Sequence, residues 1–263
     1  MAKPDTDEHD GLTTAIAAHD LHHIWLRGHD LTGELMGTVT FTDVVFLLIG
    51  GRLPDPGDRL LLDGVLVALM EHGLTPSAVV SRMTYAIAPE ALQGAVAAGL
   101  LGAGSLLLGS MEECGMLLTR LDREVCAGAD RQAAVEQVVT EYREARKHIP
   151  GIGHSIHTEG DPRATRLYQL AEQCGRSGAH LQTLNVLADA AAAASNRMLP
   201  INATGAISAI LLELGIPWQL HRGFALISRT AGLVAHIAEE AQAPITPTMR
   251  RLLREGSRAG DQA

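Results

Sequence analysis

The 263-residue chain is predicted to fold as an all-α protein. Three observations carry this expectation. The composition is 46% hydrophobic but only 3% aromatic, so the core has to be built from Leu, Ala, Val, Ile and Met, and Ala and Leu are the strongest helix formers. Apolar residues recur at helical spacing through long segments. Capping and stopping residues separate those segments. Strand-like alternation shows only near Thr38–Phe41, and there is no internal repeat.

Taken in order, residues 1–10 are polar and acidic and are expected to be disordered, as are the last ten or so, which are rich in charge, Gly and Gln. Thr42-Asp43 opens a short apolar helix through Ile49, which Gly50-Gly51 ends. Leu53-Pro54-Asp55-Pro56 reads as a turn. The next helix runs from Gly57 or Asp58 to Glu71, with Leu60, Leu61, Val65, Leu66 and Leu69 on its apolar face, and Gly73 stops it. Thr75-Pro76 is a cap followed by Pro at the first helical position, and Pro89-Glu90 reads as the same device. Gly94 to Met111 reads as one buried helix, its small residues Ala97-Ala98-Gly99 and Gly102-Ala103-Gly104 allowing close packing or a subunit interface. Asp130 caps a helix carrying Val135, Val138, Val139 and Tyr142. The pattern breaks at 148–162. Asp161-Pro162 then caps a helix toward Gly175, residues 181–198 form another, Leu199–Asn202 is a break, and two or three helices fill 203–241.

Composition excludes several classes of function. The formal net charge is −9 and no Lys/Arg-rich block occurs, which argues against a nucleic-acid partner. A few placed arginines still suffice for an anionic substrate. Cys114, Cys126 and Cys174 show no metal-site or disulfide spacing, which points to a reducing, cytoplasmic location and to no metal. The amino terminus has no secretory h-region. No membrane association is expected: the nearest candidate span, Gly94 to Met111, is rich in Gly, Ala and Ser and reads as a buried helix, with a membrane span as the minor alternative. His22-His23 and His29 have no ligand spacing and read as surface histidines. Gly151-Ile152-Gly153 is not a dinucleotide fingerprint.

The informative stretch is Pro150 to Arg163, PGIGHSIHTEGDPR. Pro150, Gly151 and Gly153 form a tight turn that lets a ligand approach the backbone. His154 on that turn fits a general base or acid, and equally a ring satisfied by a neighbouring carbonyl. Arg163, in the first turn of a helix, suits a carboxylate or phosphate, and equally a surface salt bridge.

This stretch resembles the citrate-synthase signature in which P-G-x-G-H is followed by D-P-R. Further segments match in order: Arg27-Gly28-His29-Asp30, Gly51-Arg52-Leu53-Pro54, Glu71-His72 before Ser77 and Arg82, and Arg229-Thr230-Ala231-Gly232-Leu233-Val234-Ala235-His236. The resemblance covers about residues 20–240. In length, and in the segment APEALQGAVAAGLLGAGS, the chain is most similar to the short citryl-CoA lyases and to the carboxy-terminal module of ATP-citrate lyase.

The resemblance implies a citrate-synthase-like helical fold. Its smaller subdomain, about 110–215, would be inserted in a large domain made of 1–109 and 216–263 and would close over substrate. It implies a homodimer acting on a coenzyme A thioester of a hydroxy-carboxylic acid, with the thioester as substrate and no bound cofactor. The activity implied is carbon–carbon cleavage of citryl-CoA to acetyl-CoA and oxaloacetate. By the same resemblance His154 takes the hydroxyl proton that launches cleavage. His72, Arg163 and Arg229 hold carboxylates, and CoA binds near Gly151, Ile152, Gly153 and His154.

Two family positions differ. Leu108, before Gly109, stands where synthases carry the His that stabilises the thioester enolate. Thr204 stands at the catalytic Asp that moves the α-carbon proton. A Thr hydroxyl has the wrong pKa to replace a carboxylate, and such groups contribute ~10²- to 10⁴-fold. Glu112, Glu113 and His157 are candidate substitutes. The alternative implied by both changes is a non-catalytic or repurposed binding protein for the same ligands.

Overall fold

The computed structural model describes residues 13–259 except Ser155. The all-α expectation holds. Eleven α-helices among the described residues carry the fold, with one small sheet near the amino terminus. The chain divides into two compact units, Met1–Arg59 and Leu60–Ala263. The polar residues 1–10 lie outside the described residues.

The first unit opens with the sheet, an antiparallel meander of β1 (Ala17–His19), β2 (Ile24–Leu26) and β3 (His29–Asp30). Arg27 and Gly28 join β2 to β3, both at positive φ, 51° and 87°. That is the pair of left-handed residues that a tight hairpin demands. The Arg27 guanidinium then donates to the Leu48 carbonyl through Nε (3.2 Å) and Nη2 (2.8 Å). Asp30 caps a π-helical turn at Leu31–Leu35. The strand-like alternation near Thr38–Phe41 forms no strand, and the strands lie earlier, between Ala17 and Asp30. Thr40 instead caps α1 (Phe41–Gly50) in a reciprocal capping box with Asp43, so the helix starts ahead of Thr42. Gly51, in the left-handed region, ends it. Arg52 then lies over the Phe46 ring and pairs with Asp58 at 2.8 Å. His22 and His23 are exposed, and no group of described residues could hold a metal ion.

Helix α2 (Pro56–Met70) leads into the second unit. There Leu61, Leu62 and Val65 are fully buried. Helices α3 (Pro76–Ile87) and α6 (Arg131–Glu144) start at their expected caps, Thr75 and Asp130. Pro89-Glu90 is a turn rather than a cap, and α4 (Leu92–Leu101) begins after it with no side-chain cap. The apolar stretch 94–111 is not one helix. Gly102-Ala103-Gly104 break it, and α5 (Ser105–Cys126) follows. Nor is α4 buried throughout. Ala95 and Gly99 face inward, while Leu101 is 85% exposed. A Cβ on Gly99 would fall 2.8 Å from Leu233 Cδ1 and 3.0 Å from Ser81 Cβ, so the small residues serve the contact of α4 with its neighbours. No described helix is long and apolar enough to cross a membrane.

Helices α7 (Pro162–Gln173), α8 (Ala179–Ser195) and α9 (Ala203–Glu213) follow. Helix α9 is the axis of the unit. It packs against α5, α7 and α8, and Gly205 through Leu211 are all buried. Helix α10 (His221–Gln242) packs on α3, α4 and α5. Its Ser228 hydroxyl donates to the Leu66 carbonyl of α2. Of the last ten or so residues, expected to be disordered, those through Ala259 continue α11 (Thr246–Ala259) and residues 260–263 lie outside the described residues; Leu252 and Leu253 are exposed.

Candidate functional site

The PGIGH turn is locked to the start of α9 by main chain. Gly151 and Gly153 sit at φ +87° and +83°, a region that favours glycine. Gly153 N donates to Pro200 O (2.7 Å), Asn202 N donates to Gly151 O (3.1 Å), and Ile152 pairs with Ile201 in an isolated bridge. The Asn202 side chain closes the bracket. Its amide donates to Gly153 O (2.8 Å), and its Oδ1 accepts Gly205 N–H (3.0 Å) as the cap of α9. Behind the turn there is no room. A Cβ on Gly151 would meet Cys114 Sγ at 2.6 Å and Gly205 Cα at 2.9 Å. Cys114 is fully buried, and burial pushes its thiol up to about 12, against the lowering effect of a Ser208 hydrogen bond.

This bracket presents His154. Its Nδ1 lies 3.0 Å from both the Ile156 and His157 backbone N–H groups and accepts from them. The neutral ring therefore carries its proton on Nε2. Burial pushes the ring below the ordinary imidazole range, with His157 and Arg163 adding in the same direction and Asp161 opposing. In that neutral form the free ring position of His154 is the Nε2–H, a donor. The His157 ring lies 4.7 Å from it, centroid to centroid.

One cavity of about 410 Å³ is lined by His72, Leu108, His154, Arg163, Thr204 and Arg229, together with Glu71. All five residues named from sequence as catalytic or carboxylate-holding converge there, from parts of the chain far apart in sequence. A second cavity of about 660 Å³ also has His154 in its wall and is lined by Gly151, Ile152 and Gly153. Tyr142, Arg143, Lys147 and His148 also line it, and sequence reading assigned none of these a role. Arg143, Lys147 and His148 are exposed, and the arginine and lysine give its rim a cationic edge.

Arg163 is held by Asp161, the cap of α7. Asp161 Oδ1 accepts from Arg163 N (3.0 Å) and Nε (3.1 Å), and Oδ2 accepts from Arg163 Nη2 (2.9 Å) and Ala203 N (2.9 Å). Burial raises this carboxyl, but the four hydrogen bonds outweigh it and hold it at about 2. One side chain thus aims Arg163 and anchors the start of α9. The cap was legible in Asp161-Pro162; the clamp was not.

Arg229, Gly232 and His236 lie on one face of α10 at i, i+3 and i+7, turned toward Glu71. Glu71 Oε1 accepts from His72 N (2.7 Å), lies 3.0 Å from His236 Nε2 and is 3.8 Å from Arg229 Nη1. A Cβ on Gly232 would meet Met70 O at 2.3 Å and Glu71 Oε2 at 2.6 Å. Three positions of the R-T-A-G-x-x-A-H segment therefore answer to this one carboxylate. Burial raises Glu71, but the His72 N–H and His236 outweigh it and hold it below the usual range.

The residues offered from sequence as substitutes for the family's catalytic Asp are placed as follows. Glu112 pairs with Arg222 of α10 and does not line the smaller cavity. Glu113 lines the larger one. Thr204 is the second residue of α9 and Leu108 lies in the first turn of α5, both on the wall of the smaller cavity.

An all-helical fold with a glycine-bracketed histidine between two cavities, one edged by paired arginines, defines a class, and comparison with known proteins agrees. The citrate synthase C-terminal domain family matches residues 55–253, and the chain belongs to that family. Among solved structures it is similar to the citryl-CoA lyase of Hydrogenobacter thermophilus, at 33% identity and TM-score 0.80 over 88% of each chain. ATP citrate lyase of Methanosaeta concilii, solved with (3S)-citryl-CoA, shares the fold at 20% identity and TM-score 0.71, covering 92% of this chain and 40% of that one. Citrate synthase 2 of Bacillus subtilis is 25% identical over 198 residues, which is 73% of this chain and 50% of the relative. The chain spans about half the length of the curated relatives it matches.

Proposed function

We propose that the protein is a carbon–carbon lyase acting on the CoA thioester of a hydroxy-carboxylic acid, citryl-CoA or a close relative. The observation that carries this reading is the position of His154, on the wall shared by a small arginine-edged cavity and a larger one with a cationic rim. The oxo-acid half, with two free carboxylates, suits Arg163, Arg229 and His72, because the planar guanidinium pairs both oxygens of a carboxylate. The thioester half suits the larger cavity along Gly151, Ile152 and Gly153, with Arg143 and Lys147 toward the phosphates.

In cleavage the hydroxyl proton passes to solvent water, the oxo-acid carbonyl forms as the carbon–carbon bond breaks, the electron pair of that bond passes into the thioester enolate, and the enolate α carbon takes a proton from solvent water. The Nε2–H of His154 donates to the oxygen as charge develops on it. Closure of the 110–215 region over substrate and assembly as a homodimer, with the exposed side of α4 as its contact face, belong to the same proposal. The three free cysteines support a cytoplasmic setting.

A second reading has its own observation. Leu108 and Thr204 bring no acid or base to the smaller cavity, and its carboxylate, Glu71, is already engaged. That arrangement favours a protein that binds these ligands without turning them over.

The test is oxaloacetate release from citryl-CoA, coupled to NADH oxidation through malate dehydrogenase, with His154→Ala as control. Release that His154→Ala lowers by ~10²-fold or more supports the lyase. No release from a folded protein that still binds CoA thioesters supports the binding reading.

A further inference from the structure

We propose that Glu71 is the specificity-determining residue of the carboxylate cavity, a resident anion that limits the group entering beside Arg229 to a single negative charge. The inference rests on the substrate reading above. Arg229 is 88% buried by side chain, read from its 12% exposure, and its Nη1 has no hydrogen-bond partner among the described residues. A buried guanidinium N–H without a partner is costly, so this group is available for a ligand. The anion facing it is Glu71, at 3.8 Å, close enough to neutralise Arg229 and too far to use up its donor.

Glu71 is fixed there. Its Oε1 is committed to the His72 N–H and to His236, and its Oε2 lies where only a glycine at 232 leaves room. The hydrogen bonds also keep it ionised at neutral pH. An incoming carboxylate shares Arg229 with one fixed negative charge. A phosphonate or phosphate dianion adds a second charge against that same neighbour, and like-charge contact is how a site rejects the wrong ligand. The spacing of Arg229, Gly232 and His236 on α10 thus builds a charge filter as well as a ligand contact.

Calorimetric affinities of wild type and Glu71→Gln test this. The ligands are oxaloacetate and the two analogues in which one or the other carboxylate is replaced by phosphonate. Gln keeps the Oε1 acceptor and the shape while removing the charge. The expected result is that Glu71→Gln raises affinity for one phosphonate analogue at least tenfold relative to oxaloacetate, the order expected for one charge a few ångströms away in a partly screened site, and that Arg229→Ala erases the difference. A ratio unchanged within twofold, or a parallel loss of affinity for all three ligands, overturns the inference and leaves the substrate reading standing. No binding of any of the three by wild type overturns both. If Glu71→Gln does not fold, Glu71→Asp withdraws the charge by one methylene, and the ratio is expected to move in the same direction by less.

Discussion

Replacing Asp161 by Asn separates the clamp on Arg163 from the rest of the site. Each Asp161 oxygen accepts two N–H groups, so either orientation of the Asn amide sets an NH2 against two donors. Asp161 is 1% exposed, so the displaced donors lose partners in a buried place. Breaking a buried charged pair costs about 3–5 kcal/mol. Arg163 is 32% exposed, and solvent screens part of that loss, which puts the expected cost near about 3 kcal/mol. The assay is urea unfolding at neutral pH, read as a change in midpoint at constant slope.

The pH dependence supplies a second signature of the same change. The folded carboxyl sits at about 2, below its usual 3.8. The wild-type contribution is therefore fully present above about 4 and is lost as pH falls through about 2. Asp161→Asn lacks that acid-side loss, so its deficit shrinks as pH drops through this window. A deficit under about 1 kcal/mol at neutral pH, or one that stays constant from pH 5 to 2, refutes the account of Asp161 as a buried anion holding both Arg163 and α9.

Two further outcomes follow from the bracket and from its neighbour at 204. Gly151→Ala places a side chain at φ +87° against Cys114 Sγ and Gly205 Cα. It is expected to destabilise by about 3 kcal/mol, seen as a fall in Tm. A second change, Cys114→Ala, recovers only part of this, because the Gly205 backbone remains. Thr204→Asp returns a carboxylate to the cavity wall in the first turn of α9, where the helix end favours negative charge. It is expected to raise citryl-CoA cleavage by ~10²-fold or more; an unchanged rate in a folded variant argues that the missing Asp is not what limits this reaction.

Several helices were legible from the side chain that marks their start. Thr75-Pro76, Asp130 and Asp161-Pro162 cap α3, α6 and α7 as their chemistry dictates. The start of α1 moved because Thr40 and Asp43 form a reciprocal pair, which competes with the adjacent Thr42-Asp43 signal. The segment 94–111 misled because hydropathy is uniform across Gly102-Ala103-Gly104, where the backbone breaks. The end of α11 misled because Arg254, Glu255 and Arg258 lower its hydropathy while remaining good helix formers.

The site follows the same division. Motif resemblance brought His72, His154, Arg163, Thr204 and Arg229 together, and they line one cavity. No periodicity links residues so far apart in the chain. Glu71 was in view beside His72, yet its contacts with Arg229, Gly232 and His236 are tertiary and leave no local trace. The tautomer of His154 depends likewise on backbone N–H groups that only the folded turn presents.

His154 and Thr204 project from a common bracket, and nothing that braces it belongs to either side chain. The bracing is carbonyls and N–H groups of Gly151, Gly153 and Pro200, the single amide of Asn202, and the hydrogen-only flanks of Gly151 and Gly205. Positions 154 and 204 are therefore fittings on a separately braced mount. Exchanging the residue at 204 changes the chemistry of the cavity wall while the bonds that shape the mount stay in place.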